Sequence, residues 1–180
     1  MTPIYVYAGD VFFTRSTSIL GKLIRWAETD PGEEATWTNH TGVVVADGWI
    51  GAEPAATVIE ALSSVRRGPL KVNGVSVRVF GPVPPYTTPE LEAFVMAAEE
   101  FVGAKYGWWK LGFHLLDRAI FKGRKVLSAL LRVDKRPICS YLAARVCAVV
   151  GSDFGMMPQA ATPDEMLDYV LATPDEWEER

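Results

Sequence analysis

The stretch from Arg136 to Gly151 reads RPICSYLAARVCAVVG, and it decides how the rest of the sequence is interpreted. A proline precedes Ile138 and Cys139, and an apolar, alanine-rich run then continues to a glycine. This order is typical of a helix that begins beside the cysteine and ends near the glycine. The sequence therefore predicts that Cys139 lies in the first turn of a helix.

The two cysteines of the chain, Cys139 and Cys147, take different positions on this predicted helix. The unpaired amides of a helix N-terminus stabilise a thiolate, and the amide of Cys139 itself points to where an oxyanion would form. Cys147 lies two turns later among apolar residues and is predicted to be a small core residue. Their separation along a helix is about 12 Å, so two free thiols are expected. Taken alone, Cys139 is still better explained as a buried core residue.

Only two histidines are available to serve as a base, which narrows the search for a partner of Cys139. His40 opens the segment HTGVVV at a boundary between a loop and a strand. His114 lies in an apolar segment that is predicted to be helical, where a structural role is favoured. Because thiolate chemistry needs an imidazole near the cysteine, His40 is the predicted partner.

A third residue is expected to fix the tautomer of the imidazole. Glu60 lies in the otherwise apolar segment VIEA, where it shares a strand face with Val58. Either it orients the histidine, or it faces solvent on a half-buried strand, and the sequence leaves both explanations open. Glu53 is the competing carboxylate, but it precedes a proline in a predicted turn, where exposed acids are common.

The periodicity of the chain changes from strands to helices about halfway along. Extended segments are predicted at 5–14, within 40–62 and at 75–83. Helices are predicted after Ser16 or Thr17, from Thr88, from Cys139 and from Thr162. We predict an α+β fold in which a small antiparallel sheet packs against helices on one side. One domain spanning residues 1–180 is expected.

The composition indicates a globular protein without a nucleic-acid partner. Of the 180 residues, 49% are hydrophobic and 22% are charged, and the formal net charge is -4. Dispersed Lys and Arg with a negative net charge are unsuited to binding nucleic-acid phosphates. The single basic stretch, Lys122–Arg136, is interpreted as a solvated helix face, with a membrane-surface patch as the alternative.

The sequence shows no leader peptide and no apolar run near the roughly 18 residues that a membrane span needs. A cytoplasmic location is therefore expected, and a phage-encoded origin with release by lysis is the alternative. The two cysteines form no CxxC pair, so no structural metal site is expected.

Five short motifs follow one another along the chain. They are Gly9-Asp10, His40-Thr41-Gly42-Val43, Val58–Ala61, Gly103–Tyr106 and Cys139-Ser140-Tyr141-Leu142. Their order and spacing resemble the YiiX-like branch of the circularly permuted papain-like cysteine hydrolases, which are relatives of the NlpC peptidases. In that family the histidine strand precedes the cysteine helix, which is the reverse of the order in papain.

The resemblance implies a permuted papain-like (NlpC-type) fold and a catalytic triad of a cysteine, a histidine and a polar residue. Carried over by position, it implies Cys139 as the nucleophile, His40 as the general base and then acid, and Glu60 as the orienting group. It implies neither a metal nor an organic cofactor. Residues 108–136 form a longer and more basic insert than is usual in that family.

The sequence thus predicts a thiol hydrolase that cleaves an amide or short-peptide bond through a cysteine acyl-enzyme. The substrate, a small peptide, amide or acyl compound, is expected to contact Tyr106, Gly42 and Ser140, and Tyr106 matches an aromatic position near the family's active site. Two alternatives stay open. One is a lipid acyl hydrolase or acyltransferase of the same permuted fold, with weak membrane-surface contact through residues 108–136. The other is a non-catalytic binding module associated with a phage or a cell wall.

Overall fold

A computed structural model describes residues 2–17, 21–22, 25, 36–72, 74–105, 107 and 138–180. The strands in these ranges are β1 (Ile4–Val6), β2 (Val11–Ser16), β3 (His40–Ala46), β4 (Gly48–Ile50), β5 (Thr57–Ala61), β6 (Val65–Gly68), β7 (Val75–Pro82) and β8 (Trp177–Glu179). The helices are α1 (Thr88–Glu99), α2 (Cys139–Val149) and α3 (Pro163–Ala172). None of these three helices has the length and apolar character that crossing a bilayer requires.

The large sheet has six strands in the order β6-β5-β3-β2-β7-β8, and every neighbouring pair is antiparallel. Strand β3 lies near its centre, with Phe12 of β2 opposite Gly42 and Glu60 of β5 on the other side of the same glycine. A second sheet pairs β1 with β4. The predicted α+β fold with an antiparallel sheet is confirmed.

The two faces of the large sheet bury two separate cores. Successive side chains of a strand point to opposite faces, so Phe12 and Phe13 enter different cores, as do Val43 and Val44. Phe13 and Val43 pack with residues of α1, α2 and α3. Phe12 and Val44 pack with residues of β1 and β4. Packing of the described helices on one side is therefore confirmed, and the sequence does not predict the small sheet on the other.

Two strands of the large sheet are not predicted from the sequence. Strand β6 reads VRRG and β8 reads WEE, and neither is a run of alternating apolar residues. Both become strands through pairing, β6 with β5 and β8 with β7. Three strands within 40–62 are confirmed, although β4 joins the small sheet. The helix predicted after Ser16 or Thr17 lies mostly outside the described residues.

Helix α2 begins at Cys139, as predicted, and Ile138 precedes it in an extended conformation. The amide of Leu142 donates to the carbonyl of Ile138 at 3.0 Å, which closes the first helical turn. The hydroxyl of Ser140 donates to the carbonyl of Ala161 at 2.6 Å and ties this turn to the segment before α3. The start of the helix is therefore held by the sheet core and by a buried hydrogen bond.

We expect Gly42→Ala to lower the free energy of unfolding by about 1 to 3 kcal/mol, because the added methyl group has no space. A Cβ at Gly42 would lie 2.6 Å from the ring of Phe12 and 2.8 Å from the carbonyl oxygen of Ile59. Urea denaturation measures the change, with Ser76→Ala at an exposed position of β7 as the control. An unchanged unfolding midpoint in the glycine variant would contradict this packing.

Candidate active site

His40 and Glu60 meet on adjacent strands of the large sheet. Glu60 is paired with Gly42, so it lies diagonally across from His40, within reach of a long side chain. The distance between His40 Nε2 and Glu60 Oε2 is 2.7 Å. The side chains of His40 and Glu60 are 15% and 3% exposed. A solvent-facing Glu60, the alternative left open by the sequence, is therefore wrong.

Cys139 contacts the same imidazole ring from the N-terminus of α2. A side-chain hydrogen bond and the charge between Cys139 and His40 act on the pKa of both groups. Because Nε2 of the ring is bonded to Glu60, Nδ1 is the nitrogen that remains for the sulfur. The backbone of Thr41 and Ser140 is also hydrogen-bonded to Cys139. The three residues of the predicted triad thus lie in one row, with the imidazole in the middle.

Burial is the largest single influence on the pKa of both His40 and Cys139, but their partners together outweigh it. Burial alone would lower the pKa of His40, but the hydrogen bonds and charges of Cys139 and Glu60 outweigh it and raise the pKa to about 10. Burial alone would raise the pKa of Cys139, but His40 and the backbone of Thr41 and Ser140 lower that pKa below its ordinary value. Both shifts favour a thiolate beside an imidazolium.

Glu60 has a second partner, Arg66, which the sequence does not predict as part of the site. Arg66 of β6 is paired with Glu60 of β5. Its Nε donates to Glu60 Oε1 at 3.0 Å, and its Nη2 donates to the same oxygen. Burial would raise the pKa of Glu60, but His40 and Arg66 together lower it. In the sequence, Arg66 is an arginine in the short segment VRRG, and nothing there relates it to Glu60. Only the pairing of β5 with β6 shows that the two residues are neighbours.

Among the other candidate site residues that the structure describes, none joins this row through its side chain. Gly42 is buried in β3, and the hydroxyl of Ser140 is bonded to Ala161, so the geometry gives each a structural role. Substrate contact at either residue stays a prediction. Glu53 is exposed, and its carboxylate accepts the amide of Ala55 at 2.9 Å within its own turn.

Several predictions from the second half of the chain lie outside the described residues. These are the substrate contact of Tyr106, the structural role of His114 and the membrane contact of residues 108–136. By contrast, Cys147 is fully buried, and burial raises its pKa. Both cysteines are free, and Cys147 is a core residue as predicted.

Comparison of the sequence with protein-family models finds no match, and comparison with curated proteins finds none either. Among solved structures, the fold is similar to that of the metalloprotein YiiX from Escherichia coli O157:H7, with a TM-score of 0.53. The sequences are 18% identical, and the match covers 83% of this chain and 69% of that chain. The resemblance to YiiX-like proteins, predicted from the order of the motifs, is confirmed at the level of the fold.

We expect iodoacetamide at about pH 6.5 to alkylate Cys139 and to leave Cys147 unlabelled, because only the first thiol is ionised by its neighbours. Labelled peptides identified by mass spectrometry measure the ratio. Cys147→Ala is the control and should keep the labelling rate of the unmodified chain. Equal labelling of both cysteines, or faster labelling of Cys147, would contradict the site.

The same measurement on His40→Ala tests which group ionises the thiol. An ordinary thiol is only about 1% ionised at this pH, so the rate at Cys139 should fall about tenfold or more. A rate at Cys139 that does not depend on His40 would show that another group sets the reactivity.

Proposed function

We propose that the chain is a thiol hydrolase that cleaves an amide or short-peptide bond through a cysteine acyl-enzyme. The observation that carries the proposal is the row itself, in which one imidazole is bonded to a thiol at a helix N-terminus and to a buried carboxylate. The order His40, Glu60, Cys139 along the chain is also that of the permuted papain-like hydrolases. The fold shared with YiiX supports this finer assignment.

In the first step of the proposed reaction, His40 accepts the proton of Cys139 at Nδ1. The thiolate attacks the carbonyl carbon of the substrate, a carbon–sulfur bond forms, and one electron pair of the carbonyl moves to its oxygen. Glu60 accepts the hydrogen of Nε2 and so keeps Nδ1 directed at the sulfur. Its negative charge stabilises the imidazolium.

The amide of Cys139 is the donor proposed for the oxyanion. It has no acceptor within α2, because the first bond of the helix runs from Leu142 to Ile138. A first-turn amide beside the attacked carbon can donate to the oxygen as its charge develops. The same helix terminus also favours the negative charge on sulfur before attack.

The proposed intermediate collapses when the imidazolium of His40 protonates the leaving nitrogen, and the carbon–nitrogen bond breaks. This releases an amine and leaves a thioester on Cys139. His40, again neutral, takes a proton from water, and the hydroxide displaces the thiolate to give a carboxylic acid. One water is consumed for each amide bond, and the thiolate and imidazolium are restored.

YiiX is a metalloprotein, but the described residues of this chain do not fit a metal ion. Among them, no group of three or more His, Cys, Asp or Glu side chains is arranged to hold one. Cys139, His40 and Glu60 together do not form such a group.

We expect Glu60→Gln to lower kcat/KM about 10- to 100-fold and Glu60→Ala to lower it further, because an amide oxygen can still accept the ring N–H. Glu53→Ala, which removes an exposed carboxylate in the neighbouring loop, is the matched control and should leave activity unchanged. Circular dichroism verifies that each variant is folded. If Glu53→Ala lowered kcat/KM and Glu60→Ala left it unchanged, Glu60 would not be the orienting residue.

Hydrolysis of a panel of aminoacyl amides, peptidyl amides and short acyl esters tests the substrate class. We expect turnover of amides, and no turnover by Cys139→Ser. Sedimentation with anionic vesicles is measured in parallel, because the basic and aromatic residues of the segment 108–136 are of the kinds that favour lipid interfaces. Ester turnover without amide turnover, together with vesicle binding that weakens in salt, would favour the lipid acyl alternative. No hydrolysis and no vesicle binding, together with an unreactive Cys139, would favour the non-catalytic binding module.

A further inference from the structure

We propose that Arg66 is a positioning residue of this site, which acts through Glu60 on the imidazole and the thiol. A positioning role has meaning only if the proposed function is correct, but the contacts that support it are those between β5 and β6. Its guanidinium would fix the carboxylate toward His40 and balance the charge of the row. Arg66 touches neither the sulfur nor the ring in this arrangement.

The two oxygens of Glu60 are divided between two partners. Oε2 faces His40 at 2.7 Å, and Oε1 accepts from both Nε and Nη2 of Arg66. Two donors of one planar guanidinium on one oxygen restrict the rotation of the carboxylate, and this leaves the other oxygen directed at the ring. The direct pairing of Glu60 with Arg66 in the sheet holds both side chains at this distance.

Charge gives a second reason for the arginine. With a thiolate at Cys139 and an imidazolium at His40, the signs alternate along the row. Cys139 and Glu60 are negative, His40 and Arg66 are positive, and the net charge is zero. Without the guanidinium the same row would carry a net negative charge around a carboxylate that is only 3% exposed. Within the described part of the chain, Glu60 is acted on by the charges of His40 and Arg66. His40 is acted on by the charges of Cys139 and Glu60, and Cys139 by the charge of His40.

The neighbouring residue Arg67 provides a matched control. It also forms an ion pair from β6, with Nε 2.7 Å from Oε1 of Glu99 in α1. Both partners of that pair are well exposed, at 50% and 39% of their side-chain surface. An exposed pair of this kind contributes little, and it does not contact the row.

The sign of the effect follows from the charge that is lost. A nearby cation makes protonation less favourable for every group in the row, so its removal raises the pKa of Cys139 and of His40 alike. Loss of a merely structural contact would lower stability and leave these midpoints where they are. Because Arg66 is one-third exposed, solvent screens part of its field.

The experiment compares Arg66→Gln, Arg66→Lys and Arg67→Gln with the unmodified chain. The pH dependence of iodoacetamide labelling at Cys139 reports the thiol, and an NMR titration of the His40 ring, assigned with His40→Ala, reports the imidazole. Both midpoints should rise by roughly 0.5 to 1 pH unit in Arg66→Gln. They should stay nearer their original values in Arg66→Lys, which keeps the charge, and should not move in Arg67→Gln.

A second comparison keeps the test decisive if Arg66→Gln does not fold. Glu60→Gln and the double variant Glu60→Gln/Arg66→Gln both lack the buried carboxylate, so neither leaves it without its arginine. If Arg66 acts mainly through Glu60, the added arginine substitution should raise both midpoints by less than the shift expected for Arg66→Gln alone, because only the direct field of the guanidinium is then lost. A further rise as large as the one expected for the single variant would overturn the role through Glu60.

The outcomes for Arg66 and for the proposed function are separable. Unmoved midpoints in a folded Arg66→Gln, or equal shifts in Arg66→Gln and Arg66→Lys, would overturn the role of Arg66 and leave the hydrolase proposal intact. Labelling at Cys139 that does not depend on His40 would overturn the hydrolase proposal. The NMR midpoint of His40 would still decide the role of Arg66 in that case.

Discussion

Burial of the Glu60 carboxylate is the constraint on which the site depends. An ionised carboxyl group with 3% exposure loses nearly all of its hydration, and it is stable only where hydrogen-bonded charges replace the water. Those partners come from two neighbouring strands, His40 of β3 and Arg66 of β6. A shift of one residue in either pairing would turn a partner to the other face of the sheet. The orientation of the His40 imidazole therefore depends, through the Glu60 carboxylate, on the register of β3, β5 and β6.

Helix α2 links this polar row to the apolar core. Side chains along the helix, including Leu142 and Val146, are buried in the core that covers one face of the sheet. Because the helix is held along its length, its first residue is fixed beside the first residues of β3, where Cys139 bonds to His40 and to the backbone of Thr41. Apolar packing along the helix thus sets the position of the Cys139 sulfur.

Local signals explain what the sequence predicts correctly. The start of α2 at Cys139 and the starts of α1 and α3 after threonines follow from residues within one turn of each helix. The strands that carry His40 and Glu60 follow from their apolar neighbours. Their pairing does not, because a register joins residues that are distant in the chain. Arg66 escapes prediction for that reason, and so does the small sheet formed by β1 and β4.

The two buried cysteines show why burial alone does not determine the pKa of a thiol. Cys147 is fully buried, and burial raises its pKa although Tyr86 acts in the opposite direction, whereas Cys139 is 7% exposed and its pKa is lowered by His40. The two shifts act on stability with opposite signs. The raised pKa of His40 contributes stability that is lost as the pH rises from 6.5 towards about 10, whereas the lowered pKa of Cys139 contributes stability that is lost as the pH falls below 9.0. The two pH dependences therefore oppose each other, and the pair changes the pH dependence of stability less than either shifted group would alone.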